Sequence, residues 1–294
     1  MAWRQSPQSP LITREQIERL IELQGATRVR ELGGQNLSGL DLSSIHMSDI
    51  WLDKANLTET DLTRSTLVGA KLSGSVLTRA KLCWANLSRS GLHRANFTNA
   101  DMRGIYLQGA DLREAVLAGA NLSEATLNLA TLHGADVRRA KMTGTILKHI
   151  RAREVNFEGS DLSHADLSEA DMQLCVLKNV NLSRAILSMA IIDGADAQGA
   201  NFSEAHLGMA TLKNVDCTKA NFRGADLRGF HHRVIFRGAD LRNVNMREVR
   251  AAAGLGGTEY DFRDADLREA SFRDSDLRWS NLCGADLRGA DLRE

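Results

Sequence analysis

Beyond residue 10 the sequence has no proline, and its 294 residues hold only two, Pro7 and Pro10. Aromatic residues are also scarce, at 5% against a hydrophobic share of 43%, which excludes a core organised around large rings. The four cysteines, Cys83, Cys175, Cys217 and Cys283, lie far apart with no CxxC spacing. That excludes a disulfide framework and a thiolate zinc site, and predicts reduced thiols in the cytoplasm. No apolar run approaches the roughly eighteen residues of a membrane span, and no apolar h-region follows the N-terminus. An excess of one charge sign is missing too, since 37 basic and 37 acidic side chains cancel. Neutrality disfavours a strongly basic nucleic-acid binder and an acidic whole-molecule mimic of nucleic acid alike. The length alone would suit two average domains.

What is present is a repeat. From Leu37 a large apolar residue recurs every fifth position through Leu42, Met47 and Leu52 to Leu227. The series resumes at Phe236, Leu241 and Met246, and again from Phe262 to Leu292. Of these 49 centres 32 are Leu, 7 Phe and 5 Met, while only Ala152, Ala197 and Cys217 are small. Two residues before each centre stands Ala in 28 cases, with Ser, Thr, Val or Cys in most others. Five residues advance an α-helix by about 500° and put alternate side chains of a flat strand on opposite faces, so neither element fits. A chain that turns by about a right angle at each pentapeptide does fit: four repeats close a coil, with the centre and the small residue facing inward. Coils then stack at about 4.8 Å, and 49 centres make a rod of about twelve coils, close to 60 Å long. Proline would delete a bond of the stacking ladder, which accounts for its absence.

These residues resemble the pentapeptide-repeat family, whose motif reads A-(D/N)-L-x-x, over about residues 35–294. Ala110-Asp111-Leu112-Arg113-Glu114, Ala120-Asn121-Leu122-Ser123-Glu124 and Ala165-Asp166-Leu167-Ser168-Glu169 match it outright. The resemblance implies an all-β fold, a right-handed quadrilateral parallel β-helix, preceded here by a segment 1–34 with a short capping α-helix. It also implies that some relatives imitate duplex DNA and bind type II topoisomerases, conferring quinolone resistance or self-protection.

Ahead of the repeats, Thr13-Arg14-Glu15-Gln16 reads as a capping box with Ile12 and Ile17 at the staple positions, and Gly25 as a stop, so a helix is expected over about 13–24. Ile17, Leu20 and Ile21 share one face, suited to a lid over the first coil or to a partner. At the other end the repeats run to Leu292, leaving Leu277, Leu282, Leu287 and Leu292 in an uncovered coil with Trp279 outward. A second copy stacked about a two-fold axis would bury that end, as the resemblance also suggests.

Two interruptions break the period. Numbering the coil's sides from Leu37, Leu227 stands on the third side and Phe236 on the first, so one residue is lost within 228–235. From Met246 to Phe262 the spacing fits three repeats plus one residue, within 251–261, which would restore the register and place Phe262 on the second side. Both irregular segments fall on the fourth side or the corner after it, close to the small centres Ala197 and Cys217. They form either a tolerated irregularity or a partner-binding bulge carrying Phe230, His231, His232, Arg233, Leu255, Thr258, Glu259 and Tyr260. The glycine-rich stretch lacks the GK(S/T) ending of a phosphate loop.

Catalytic chemistry is not indicated. The serines follow the centres as Leu-Ser, with no Gly-x-Ser-x-Gly elbow, and no spacing brings a ligand set to His231 and His232 or to His93 and His133. No metal or cofactor is implied. From Asn221 onward there are 13 Arg, no Lys and 13 acidic residues, and 11 of the arginines directly follow a centre. The expected register stacks Arg228, Arg247, Arg268 and Arg288 on the third side, and Arg223, Arg242 and Arg263 on the second. They form either a solvated ion-pair lattice or a face for an acidic partner. The sequence therefore predicts a non-enzymatic protein-interaction scaffold that binds through a side or through the bulge at 229–260. The alternative is a DNA-mimicking gyrase modulator, disfavoured because residues 1–150 sum to +4 and residues 151–294 to −4.

Overall fold

A computed structural model of the chain describes residues 12–22, 32–229, 234–249 and 260–293. Parallel pairing joins residues twenty apart, from Asn36 with Asn56 to His206 with Asp226, so four pentapeptides make one turn of a parallel β-helix. The Leu122 turn shows how each repeat is held. Leu122 N–H donates to the Lys141 carbonyl of the next turn (2.6 Å), Glu124 N–H to Thr143 (3.0 Å), and Asn121 N–H back to Ala100 (2.9 Å). Ala125 N–H closes the corner onto the Leu122 carbonyl at 2.9 Å. Positive φ falls on the second residue after the centre, as at Glu124 (61°), and not on the first, which is the type II pattern. The ladder already includes Leu32, whose N–H donates to Trp51 at 2.7 Å.

The core is one continuous column of centres and small residues, nearly all fully buried. Where the small position is Ser or Thr, the hydroxyl is satisfied by a carbonyl, as in Ser65 to Leu62 (2.6 Å) and Thr60 to Leu37 (2.8 Å), so its burial costs little. Corner side chains lean onto the next turn: a Cβ at Gly104 would lie 2.4 Å from the Trp84 ring, so any larger residue there would push that ring aside.

Helix α1 (Arg14–Glu22) begins at the expected box, with Gln16 N–H on Thr13 Oγ1 (3.3 Å) and Thr13 N–H on Gln16 Oε1 (2.9 Å). Ile17 is buried and Ile12 and Ile21 pack on the core, whereas Leu20 is exposed, contrary to the face expected for it. Arg14 ties the helix to the coil by donating to the Asp41 and Ser43 carbonyls, each at 3.2 Å. Gly25 lies outside the described residues.

Near the C-terminus three short parallel strands, β1 (Val215–Asp216), β2 (Val234–Ile235) and β3 (Tyr260–Asp261), flank the irregular segments. Asn221 pairs with Asp240, nineteen residues on, so one residue is lost as expected. Asp240 pairs with Asp266 and Asn245 with Ser271, twenty-six residues on, so the second segment adds six residues and not one. Phe262 accordingly stands over Phe236 on the first side, not on the second, and the register is not restored. The sequence spacing counts only modulo five, and an excess of one is indistinguishable there from an excess of six.

Candidate functional site

Side chains directly before and after a centre share the outward face of a strand, and aspartate with arginine at those two places form a fixed clasp. Arg113 Nε and Nη2 grip Asp111 at 2.8 and 2.6 Å. Equivalent forks join Arg103 to Asp101 and Arg138 to Asp136. Seven more lie in the last turns, among them Arg228 with Asp226, Arg268 with Asp266 and Arg288 with Asp286. The Arg288 guanidinium holds the Asp286 carboxyl down at about 2. These pairs are solvent-facing, so each adds little stability, but together they cancel charge strand by strand.

The longer second insertion also corrects the arginine columns. Arg228 and Arg247 do lie on the third side, but Arg268 and Arg288 continue the second-side column of Arg223 and Arg242, while Arg273 and Arg293 complete the third. Arg263 belongs to the first side. The four arginines expected to form one face are therefore divided between two sides, and three of them are clasped by acids.

Of the expected bulge, Phe230, His231, His232, Arg233, Leu255, Thr258 and Glu259 lie outside the described residues. Tyr260 is described and is fully buried, its ring 5.7 Å from that of Phe262, so it is a core residue and not a surface contact. At the C-terminal coil Leu277, Leu282 and Leu287 are half-buried, Leu292 is 57% exposed and Trp279 is 75% exposed. Among the described residues, the N–H groups of Leu277, Trp279, Leu282, Gly284, Leu287 and Gly289 have no backbone acceptor. The carbonyls of Ser280, Ala285 and Ala290 face the same way, so this edge carries both donors and acceptors.

The fourth side and its corners hold features that the period did not flag. Met189, Met209 and Leu174 occupy corner positions with φ of 58°, 60° and 59°, where glycine or a polar residue is the better fit. All three are exposed, Met209 to 69%. Met189 N–H donates to Gly208 and Met209 N–H to Arg228, so the two methionines stack in successive turns and lead to Gly229, where the first irregular segment starts. Ile186 and Ile191 extend the apolar surface on either side of Met189. The available signal was a large apolar residue two places after a centre.

Lower on the same side a cavity of about 510 Å³ is lined by Arg113, Thr131, His133, Arg151, Arg153 and Asp171, with His149, Ile150 and Glu169. Burial pushes the Cys175 thiol up to about 12 and raises that of Cys217, so neither is a ready nucleophile. All four cysteines are free thiols. Among the described residues no three His, Cys, Asp or Glu side chains converge to hold a metal ion, and no helix is long and apolar enough to cross a membrane.

A family profile described as pentapeptide repeats matches residues 41–144, 153–188, 190–229 and 261–294 in overlapping copies, most of the chain. The stretch 230–260 without a match takes in most of both irregular segments. No curated protein sequence matches. Among solved structures the chain is similar to HetL, a pentapeptide-repeat protein involved in heterocyst differentiation regulation from the cyanobacterium Nostoc sp. strain PCC 7120. That likeness has 24% identity over 95% of this chain and 94% of that chain, with a TM-score of 0.32. QnrB1, a plasmid-mediated fluoroquinolone resistance protein, is similar at 19% identity over 74% of this chain and 91% of its own, with a TM-score of 0.28. A pentapeptide-repeat protein of the Arabidopsis thaliana thylakoid lumen shares 27% identity over 37% of this chain and 65% of its own, with a TM-score of 0.17.

Proposed function

The chain belongs to the pentapeptide-repeat family, whose members fold as right-handed β-helices, and from that premise we propose that it is a non-enzymatic scaffold that binds another protein. The contact lies at the corner between its third and fourth sides. The observation that carries this reading is the exposed run of Met189, Met209 and Ile191, apolar residues where the repeat favours polar ones, beside the irregular segments. Methionine is unbranched and adaptable, which suits a docking surface. The experiment compares capture by the wild-type chain and by a Met189→Lys, Met209→Lys double variant. The expected outcome is loss of about tenfold or more in affinity for the captured protein, with the melting temperature nearly unchanged because both side chains face solvent. Equal capture by both forms would remove this corner from consideration.

The fold details follow the same reading. Four pentapeptides per turn support a quadrilateral cross-section over a domain 35–294, and the docking of α1 supports its role as a lid within 1–34. Free thiols suit the cytoplasm. The alternative, a DNA-mimicking modulator of gyrase, loses support because arginine neutralises aspartate within each clasped strand among the described residues. Potent inhibition of gyrase supercoiling would reverse that ranking.

The C-terminal edge is self-complementary in donors, acceptors and apolar surface, which supports a two-fold dimer through Leu277, Trp279, Leu282, Leu287 and Leu292. Sedimentation of the wild-type chain should give about twice its 32.2 kDa mass, and Leu282→Glu should give the single mass. A monomeric wild-type chain at micromolar concentration would rule the dimer out.

A further inference from the structure

Arg151-Ala152-Arg153 is the one place in the sequence where arginine both precedes and follows a centre. Everywhere else that an arginine is clasped, the preceding position supplies the aspartate. Here the clasp is impossible, and among the described residues neither guanidinium makes an ion pair or a hydrogen bond. Both point to the outward face of the fourth side, as Asp111 and Arg113 do two turns earlier. Ladder pairing of Thr131 with Arg151 sets Thr131 and His133 one rung away, on the same face. These four side chains line the 510 Å³ cavity, a size within the usual range for small-molecule sites.

The remaining polar groups of the cavity are already engaged or negative. Arg113 is held by Asp111, and His149 Nδ1 lies 3.3 Å from Glu169. Glu169 and Asp171 close the C-terminal margin with negative charge. Two guanidinium forks outside any ion pair, an imidazole and a hydroxyl thus line one cavity, with the Asp171 carboxylate one rung from Arg151.

We propose that this cavity binds the phosphoryl group of a small phosphomonoester, with the hydroxyl groups of the ligand's remainder donating to Glu169 and Asp171. Two guanidinium groups that no clasp holds match a dianion, and their paired forks match its three terminal oxygens better than they match a single carboxylate. An extended polyanion is disfavoured, because a strand of phosphates leaving the cavity toward the C-terminus meets Asp171 and Glu169. The site adjoins the Met189 corner, since Glu169 lies one turn before Met189 and Asp171 pairs with Ile191, but its chemistry does not depend on the scaffold reading.

Calorimetry on the full chain tests this with glucose 6-phosphate, inorganic phosphate, glucose and a short DNA duplex as probes. The expected result is that glucose 6-phosphate binds at least about tenfold more tightly than glucose, and that binding weakens with salt. Inorganic phosphate binding at the same site, displaced by glucose 6-phosphate, supports phosphoryl recognition. Arg151→Asp is the decisive variant, because it installs the pairing already present in ten other strands and should therefore fold, yet should abolish phosphate binding. Arg153→Gln provides a second loss without adding a negative charge, and circular dichroism with a melting curve confirms the fold of each. The proposal is overturned if glucose 6-phosphate binds no better than glucose, if no probe binds, if the duplex binds more tightly than the phosphomonoester, or if both folded variants bind like the wild type.

Discussion

Phe222→Ala is expected to destabilise the chain by about 3–5 kcal/mol, near the top of the range for single core substitutions. The ring is fully buried, stacked on Phe202 at 4.6 Å and edge-on to Phe236 at 5.4 Å. It also fills space that its own turn leaves open. Cys217 is the preceding centre, and the other two small centres, Ala152 and Ala197, are likewise followed five residues later by a phenylalanine, Phe157 and Phe202. Each small centre is thus compensated by a large one on the next side, which holds the volume per turn near constant, as close packing demands. A urea midpoint for Cys217→Leu alone should fall, since overpacking costs about 1–3 kcal/mol. Combined with Phe222→Leu, the same change should cost less than the sum of the two singles by about 0.5 kcal/mol or more, the mark of residues sharing one space. Strict additivity would defeat the compensation argument.

The same rings bridge the irregular turns. Phe236 stacks on Phe262 at 5.4 Å, and Phe262 meets Phe272 edge-on at 6.0 Å, so aromatic contacts run from Phe202 across both interruptions. Pairs of this kind add about 0.5–1.5 kcal/mol beyond their buried area. That places extra cohesion where the fourth side departs from the period. It also accounts for Ala197 and Cys217 standing near the irregular segments without any need for a binding role.

How much of this was legible depended on what repeats. The centres, the small inward residues, the turn of four pentapeptides and the cap of α1 follow from spacing and from capping chemistry, because those are local or strictly periodic. The placement of Phe262 did not, since a period of five leaves whole pentapeptides uncounted, and only pairing such as Ile235 with Asp261 fixes how many lie between. The arginine columns failed for the same reason, because Arg268 inherits its side from Phe262. Arg151 and Arg153 were visible as residues but not as a site. Their significance lies in a missing partner, which appears only once the clasp of Arg113 with Asp111 shows what an ordinary strand does.

The ladder makes a second large and position-specific prediction. Val116 N–H donates to Ala95 at 2.9 Å in the preceding turn, whereas Ala118 N–H makes no hydrogen bond among the described residues, although the Ala118 carbonyl accepts from Asn99. Ala118 is the first central residue of a type II corner whose second is Gly119, at a φ of 69°. Proline is favoured at the first of those places and cannot donate at a ladder position. Val116→Pro should therefore cost about 3 kcal/mol or more, through the lost bond and the ring's contact with the neighbouring turn. Ala118→Pro should be neutral or stabilise by up to about 1 kcal/mol, because the substitution restricts the unfolded chain at a site already holding a compatible shape. In a linear array the damage at Val116 should also be local, with amides of the adjoining turns exchanging faster while those beyond Leu177 keep their protection. Equal urea midpoints for the two variants would mean that the absence of proline beyond residue 10 has some cause other than the ladder.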